Sequence, residues 1–141
     1  MTMRISDNLA IAMVEAAKDM IDTGVITSYL RVYSGTKPTI VNEGITTQVL
    51  LLEYPLPEPS FAGTVMDGPR ARALGEFIGD VAPGLANDTA TWFRITGGTG
   101  APAMDGDVTI TGGGGDAELT TTAITIGMNV TVTAAQITHD I

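Results

Sequence analysis

The sequence predicts a mainly β domain: a β-sandwich or jelly-roll-like fold with one N-terminal amphipathic α-helix packed on it. Three observations carry this. Apolar residues recur at helical spacing in a single stretch, from about 7 to 22. From Ser28 onward the period changes to two, in short runs bounded by glycine and proline, which is the pattern of half-buried strands. Thr89 to Thr111 forms a hairpin pattern, with Trp92-Phe93-Arg94-Ile95 leading into Gly97, Gly98 and Gly100, and Val108-Thr109-Ile110-Thr111 leading out. Strands do not alternate with helices, so a doubly wound α/β fold is disfavoured. At 141 residues the chain is expected to be one domain over 1–141, large enough to bury a core without disulfides or metal.

The helix has a plausible start and stop. Ser6 suits the N-cap, Asp7 places a carboxylate in the first turn where the helix dipole favours it, and Gly24 sits where a left-handed C-terminal residue is wanted. Leu9, Met13, Ala16, Ala17 and Met20 form a stripe, widened by Val14 and Ile21, with Glu15, Lys18, Asp19 and Asp22 opposite. The stripe is expected to pack on the sheet through Leu9, Met13, Ala17 and Met20.

Strands are expected between about 28 and 134. Tyr29, Arg31 and Tyr33 share one face and Leu30 and Val32 the other, before Ser34-Gly35-Thr36-Lys37-Pro38 turns the chain. Val49 to Tyr54 is apolar on both faces and predicts a central strand, stopped by Pro55, Pro57 and Pro59. Phe61 to Met66 predicts a short edge strand before the Asp67-Gly68 turn. Arg70 to Ile78 is read as strand because Gly75 and Gly79 interrupt a helix, and Ala82 to Asp88 as loop. In the hairpin, Phe93 and Ile95 face one way, and Trp92 and Arg94 form a mixed second face where Arg94 could stack on a ring or reach an acid. Leu119 to Ile126 and Met128 to Thr133 complete a set of seven or eight strands, after the four consecutive glycines Gly112 to Gly115.

Composition excludes several chemistries. There is no cysteine, which removes disulfides, thiol catalysis and cysteine-based metal centres. Seven basic residues against 16 acidic ones give a net charge of −9, a surface that repels phosphate, so no nucleic-acid partner is expected. No apolar run approaches the ~18 residues of a membrane span. The apolar stretch Leu9 to Ala17 is interrupted by Glu15 and followed by Lys18 and Asp19, unlike a secretion signal. Charged residues make up only 16%, which suits surfaces that bury themselves against neighbours.

Candidate chemical groups are few. Neither glycine-rich run carries the phosphate-loop lysine or leads into a helix. His139 is the only histidine, so a histidine-based triad would depend on it, with Ser6, Ser28, Ser34 or Ser60 as nucleophile. None of these serines lies in a nucleophile elbow, and a residue so near the C-terminus is expected to fray. Asp105, Asp107, Asp116 and Glu118 are the calcium candidate, clustered around two glycine-rich turns. Their spacing fits neither an EF-hand nor a glycine-rich calcium repeat, and aspartate in β-turns is the commoner explanation. Glu76 and Asp80 form a carboxylate pair with few aromatics nearby to make a sugar platform. The expectation is therefore no enzyme, no cofactor and no resident metal.

Several motifs, taken together and in order, carry a resemblance. They are Arg4-Ile5-Ser6-Asp7 opening the helix, Leu30-Arg31-Val32-Tyr33-Ser34-Gly35-Thr36 with Pro38, Pro59-Ser60-Phe61, Trp92-Phe93-Arg94, Asp105-Gly106-Asp107-Val108, and Ile126-Gly127-Met128-Asn129-Val130-Thr131-Val132. With them the chain resembles a family of small structural proteins encoded by tailed bacteriophages and prophages. The resemblance spans nearly the whole chain and is least at about Val65 to Asp88. It implies a non-enzymatic virion component made in the bacterial host cytoplasm. The expected role is a capsid decoration or cement protein on the outer shell, with the major capsid or other virion proteins as partners and a homo-trimer or dimer as local unit. The alternative is a tail or tail-fibre-associated β-domain with receptor or glycan binding, and a small hydrolase is the remote one.

Overall fold

The computed structural model describes residues 4–140. Helix α1 (Asp7–Asp22) has the predicted bounds. Ser6 is extended, with ψ of 161°, and its hydroxyl accepts a hydrogen bond from the Leu9 N–H at 3.2 Å. Thr23 is extended and ends the helix, and Gly24 follows at φ +124°. Gly24 also serves close approach: a Cβ there would run into the Gly98 carbonyl. The Ile21 carbonyl, orphaned by the helix end, accepts from the Gly98 N–H at 3.0 Å and the Ser28 hydroxyl at 2.7 Å.

The buried face of α1 is not the expected one. Ala10, Val14, Lys18 and Ile21 are buried, whereas Leu9, Met13 and Met20 are exposed and Ala17 is half-buried. The helix is apolar on two sides, and its charges do not mark the outer one. Lys18 goes inward, paired with Glu15 at 3.2 Å, and Glu15 accepts from the Thr64 N–H at 3.0 Å. Asp22 accepts from the Ser60 N–H at 3.1 Å. With those charges engaged towards the body of the domain, the longer side chains of the other stripe point to solvent.

Among the described residues eleven strands follow: β1 (Tyr29–Tyr33), β2 (Leu50–Pro55), β3 (Val65–Asp67), β4 (Arg70–Leu74), β5 (Val81–Pro83), β6 (Asp88–Thr89), β7 (Trp92–Thr96), β8 (Pro102–Ile110), β9 (Ala117–Leu119), β10 (Ala123–Ile124) and β11 (Asn129–Asp140). Nine belong to one sheet, eight of them in the order β2-β1-β7-β8-β9-β11-β4-β3, with β5 also paired to β11; β6 and β10 pair separately. All pairings are antiparallel except β8 with β9. The chain is thus mainly β, with one helix lying across β4 and β11.

Several expectations change at this level. The 50–55 strand ends the hydrogen-bonded ladder instead of being central, although both Leu51 and Leu52 are fully buried. Beyond the ladder, the Leu51 carbonyl accepts from the Leu85 N–H at 2.9 Å, and the Tyr54 hydroxyl donates to the Val130 carbonyl at 2.8 Å. The sheet therefore curls until its first strand approaches its far side, which is compatible with a sandwich or jelly roll. Residues 82–88, expected as loop, contribute to β5 and β6. The expected strand at 119–126 is broken into the ends of β9 and β10. The last strand runs to Asp140, well past 134.

One apolar cluster unites helix and sheet, including Val14 and Ile21 from α1, Leu30 and Val32 from β1, Phe93 and Ile95 from β7, and Val130 and Val132 from β11. A register shift in β11 between Val132 and Ala134 resets the alternation, so that Ala135 and Ile137 are buried further along. Between β4 and β5 the chain makes an excursion that drives Phe77 into the core, edge-on to Phe61 at 5.5 Å.

Candidate functional site

The structure disperses the acidic cluster of Asp105, Asp107, Asp116 and Glu118. Asp105 and Asp107 lie on β8, in a strand and not in a turn. Asp105 pairs in register with Arg94 of β7. Arg94 Nε reaches Asp105 Oδ1 at 2.7 Å and Nη2 reaches Oδ2 at 2.9 Å, both side chains being 5% exposed. The hydrogen-bonded carboxylate holds the guanidinium charged, above its already high ordinary pKa.

The Trp92–Arg94 face of the hairpin is covered by the chain itself. Arg94 lies over the Trp92 ring at 5.4 Å, and Trp92 stacks on Tyr33 at 4.8 Å. Residues 34–49 close over them. Trp92 Nε1 donates to the Ser34 carbonyl at 3.2 Å, Arg94 Nη1 to the Glu43 carbonyl at 2.7 Å, and Lys37 Nζ pairs with Asp107 Oδ1 at 2.9 Å. Every residue of β7 is consequently buried.

Asp116 and Glu118 serve the other glycine-rich connection. Asp116 Oδ2 accepts from the Asp107 N–H at 3.0 Å. The Glu118 carboxylate accepts from the Gly112 N–H at 3.0 Å and the Gly114 N–H at 2.9 Å, which lowers its pKa below the ordinary carboxylate value. Thr109 Oγ1 accepts from the Gly115 N–H at 2.9 Å. These contacts fold the four-glycine segment back on β8, so that β9 can run parallel to it. Gly97–Gly100 is likewise tied to the end of α1 through Gly98. Both loops are held by groups of this chain. Among the described residues no His, Cys, Asp or Glu group converges to hold a metal ion.

The remaining candidates are scattered. Ser6 caps α1, Ser28 donates to the Ile21 carbonyl, and Ser34 Oγ accepts from the Val49 N–H at 3.2 Å. Ser60 is fully buried, and its hydroxyl has no hydrogen-bond partner among the described residues. His139 is not frayed: it stands in β11 opposite Ala71, and no hydrogen bond joins it to any of these serines among the described residues. Glu76 and Asp80 lie exposed on the excursion between β4 and β5.

What stands out on the surface is apolar. Among the described residues fifteen large hydrophobic side chains are exposed, including Leu9, Met13 and Met20 on α1, Val25 and Ile26 beyond it, Ile40, Ile45 and Val49 on the covering loop, Leu85 and Ile126 at the β5 end, and Val65 and Leu74 at the β3–β4 edge. The sequence showed these residues but assigned the helix stripe to the core. No helix among the described residues is long and apolar enough to cross a membrane. Comparison with protein-family models, with curated proteins and with solved structures finds no match.

Proposed function

We propose that this chain is a structural component of a tailed-bacteriophage particle, a decoration or cement protein that seats on the outer shell. The observation that carries the reading is the distribution of its surface. Exposed large hydrophobics are spread over the helix, the covering loop, the β5 end and the β3–β4 edge. A single partner site needs one patch; a subunit set among several neighbours in a lattice needs several. Two further features support the reading. Asp105, Asp107, Asp116 and Glu118, the acidic cluster that might have held a cation, are engaged in ion pairs and loop-capping hydrogen bonds. The sequence motifs from Arg4 to Val132 resemble small phage structural proteins, and the net charge of −9 disfavours association in free solution while leaving the subunit ready for a complementary surface.

The test is a binding titration of purified chain onto shells stripped of accessory proteins, followed by sedimentation. Saturable binding, with the chain pelleting at a fixed ratio to the shell protein, is the expected result. A chain that stays in the supernatant at every concentration contradicts the proposal. Binding only to isolated tails or to glycans would move it to the tail.

A further inference from the structure

Residues 35–48 cover the Trp92–Arg94 face without being anchored in the core. The ends of the loop are clamped side by side. The Ser34 N–H donates to the Val49 carbonyl at 3.0 Å, and the Val49 N–H to Ser34 Oγ at 3.2 Å. A loop closed at its base in this way is an Ω-loop, held together by its own side chains. Within it, Gln48 Nε2 donates to the Thr36 carbonyl at 2.6 Å, and Gln48 Oε1 accepts from the Thr46 N–H at 2.9 Å. Glu43 Oε2 accepts from the Thr39 N–H at 3.3 Å. None of residues 35–48 is buried and none belongs to the apolar cluster, yet beneath them Trp92 is only 1% exposed. Among the described residues three hydrogen bonds tie the loop to the body of the domain. They run from Thr91 Oγ1 to the Gly35 carbonyl at 2.6 Å, from Lys37 Nζ to Asp107 Oδ1 at 2.9 Å, and from Arg94 Nη1 to the Glu43 carbonyl at 2.7 Å.

We propose that residues 35–48 are a latch that lifts as a unit off Tyr33, Trp92 and Arg94 while the sheet stays folded. A segment with few buried apolar contacts and mostly exposed polar ties opens at a free energy well below that of global unfolding. The buried ion pair survives the opening. Asp105 engages Nε and Nη2 of Arg94, so lifting the loop frees only Nη1, which water can serve. The pivot is in place as well. Gly35, at φ +80°, starts the loop, and the Ser34–Gly35 peptide carries the carbonyl to which Trp92 Nε1 donates. Burial of the stacked Tyr33 and Trp92 rings favours the closed state without locking it. Once open, the chain presents that aromatic pair beside a guanidinium, with Ile40 and Ile45 on the lifted loop. This device belongs to the isolated chain and does not depend on the virion reading.

Trp92 is the only tryptophan, so its indole N–H is an unambiguous reporter of the opening. Hydrogen exchange of the full chain, followed by NMR, should show this proton exchanging at least about tenfold faster than the slowest backbone amides of β7. Low urea should leave its rate almost unchanged, because a local opening exposes little surface. Lys37→Met and Thr91→Val, both at exposed ties, should each speed it about two- to fivefold. Ile21→Val, in the core, should speed the slowest β7 amides about two- to tenfold and leave the indole unchanged, since that packing is kept in the open state. An indole that exchanges at the rate of the slowest β7 amides, in the wild type and in Ile21→Val alike, would overturn the proposal. So would an indole rate indifferent to both Lys37→Met and Thr91→Val.

Discussion

Arg94 and Asp105 face each other across the β7–β8 ladder and close a two-point ion pair, 2.7 and 2.9 Å long, with both side chains 5% exposed. Removing one member of such a pair leaves an uncompensated buried charge. Arg94→Met or Asp105→Asn is expected to cost about 3–5 kcal/mol in urea unfolding. The double replacement Arg94→Met with Asp105→Leu should cost less than either single change. Additive losses would mean that the two side chains do not act as a unit.

The two faces of α1 should separate cleanly by mutation. Ile21→Ala removes buried packing and is expected to cost about 2–5 kcal/mol. Leu9→Asp, on the exposed stripe, should change the stability of dilute protein by no more than about 0.5 kcal/mol. A large loss from Leu9→Asp at low concentration would restore the stripe to the core.

Close approach of backbone to backbone sets the glycine pattern at the end of α1. A Cβ on Gly98 would meet the Thr23 carbonyl, which is backbone and cannot yield easily. Gly98→Ala is therefore expected to destabilise by about 1–3 kcal/mol. Gly63 has open space around its Cβ position and no positive φ. Gly63→Ala should leave stability unchanged or raise it by up to about 1 kcal/mol. Equal effects at the two positions, read from thermal melts, would contradict the packing described.

Glu118 gives a pH signature. Its folded-state pKa is lowered by the Gly112 and Gly114 N–H groups from an ordinary value of 4.5. A depressed carboxylate contributes stability that is fully present above its unfolded pKa and is lost as pH falls through the folded one. The stability gap between the wild type and Glu118→Gln should thus be widest near neutrality and narrow below about pH 4.5. A gap that stays constant down to strong acid would show that the charge on Glu118 is not what holds the loop.

The sequence made some of this legible and hid the rest for identifiable reasons. The ends of α1 were readable because Ser6, Asp7 and Gly24 act locally. The buried face was not, because Leu9-Met13-Ala16-Met20 and Ala10-Val14-Ala17-Ile21 are both apolar, and the tie between Glu15 and Thr64 that turns Lys18 inward spans 49 residues. Arg94 was rightly expected to reach a ring or an acid. Asp105 was placed in a turn because Pro102-Ala103-Met104 lacks alternation and Gly106 interrupts the strand. Gly106 in fact lies opposite Phe93, whose ring occupies the space a Cβ would need. The parallel β8–β9 pair depends on Glu118 and Thr109 capping the glycine loop, a set of contacts that no periodicity announces. His139 looked terminal only because its strand is defined by pairing with β4, far away in the chain.

Whether this chain is a shell-bound virion component can be read from quantitative mass spectrometry of purified particles that encode it. The chain should be present on the order of hundreds of copies per particle, in a fixed ratio to the major shell protein, as a symmetric lattice repeats its parts. A chain absent from the particles, or present in only a few copies, would contradict it.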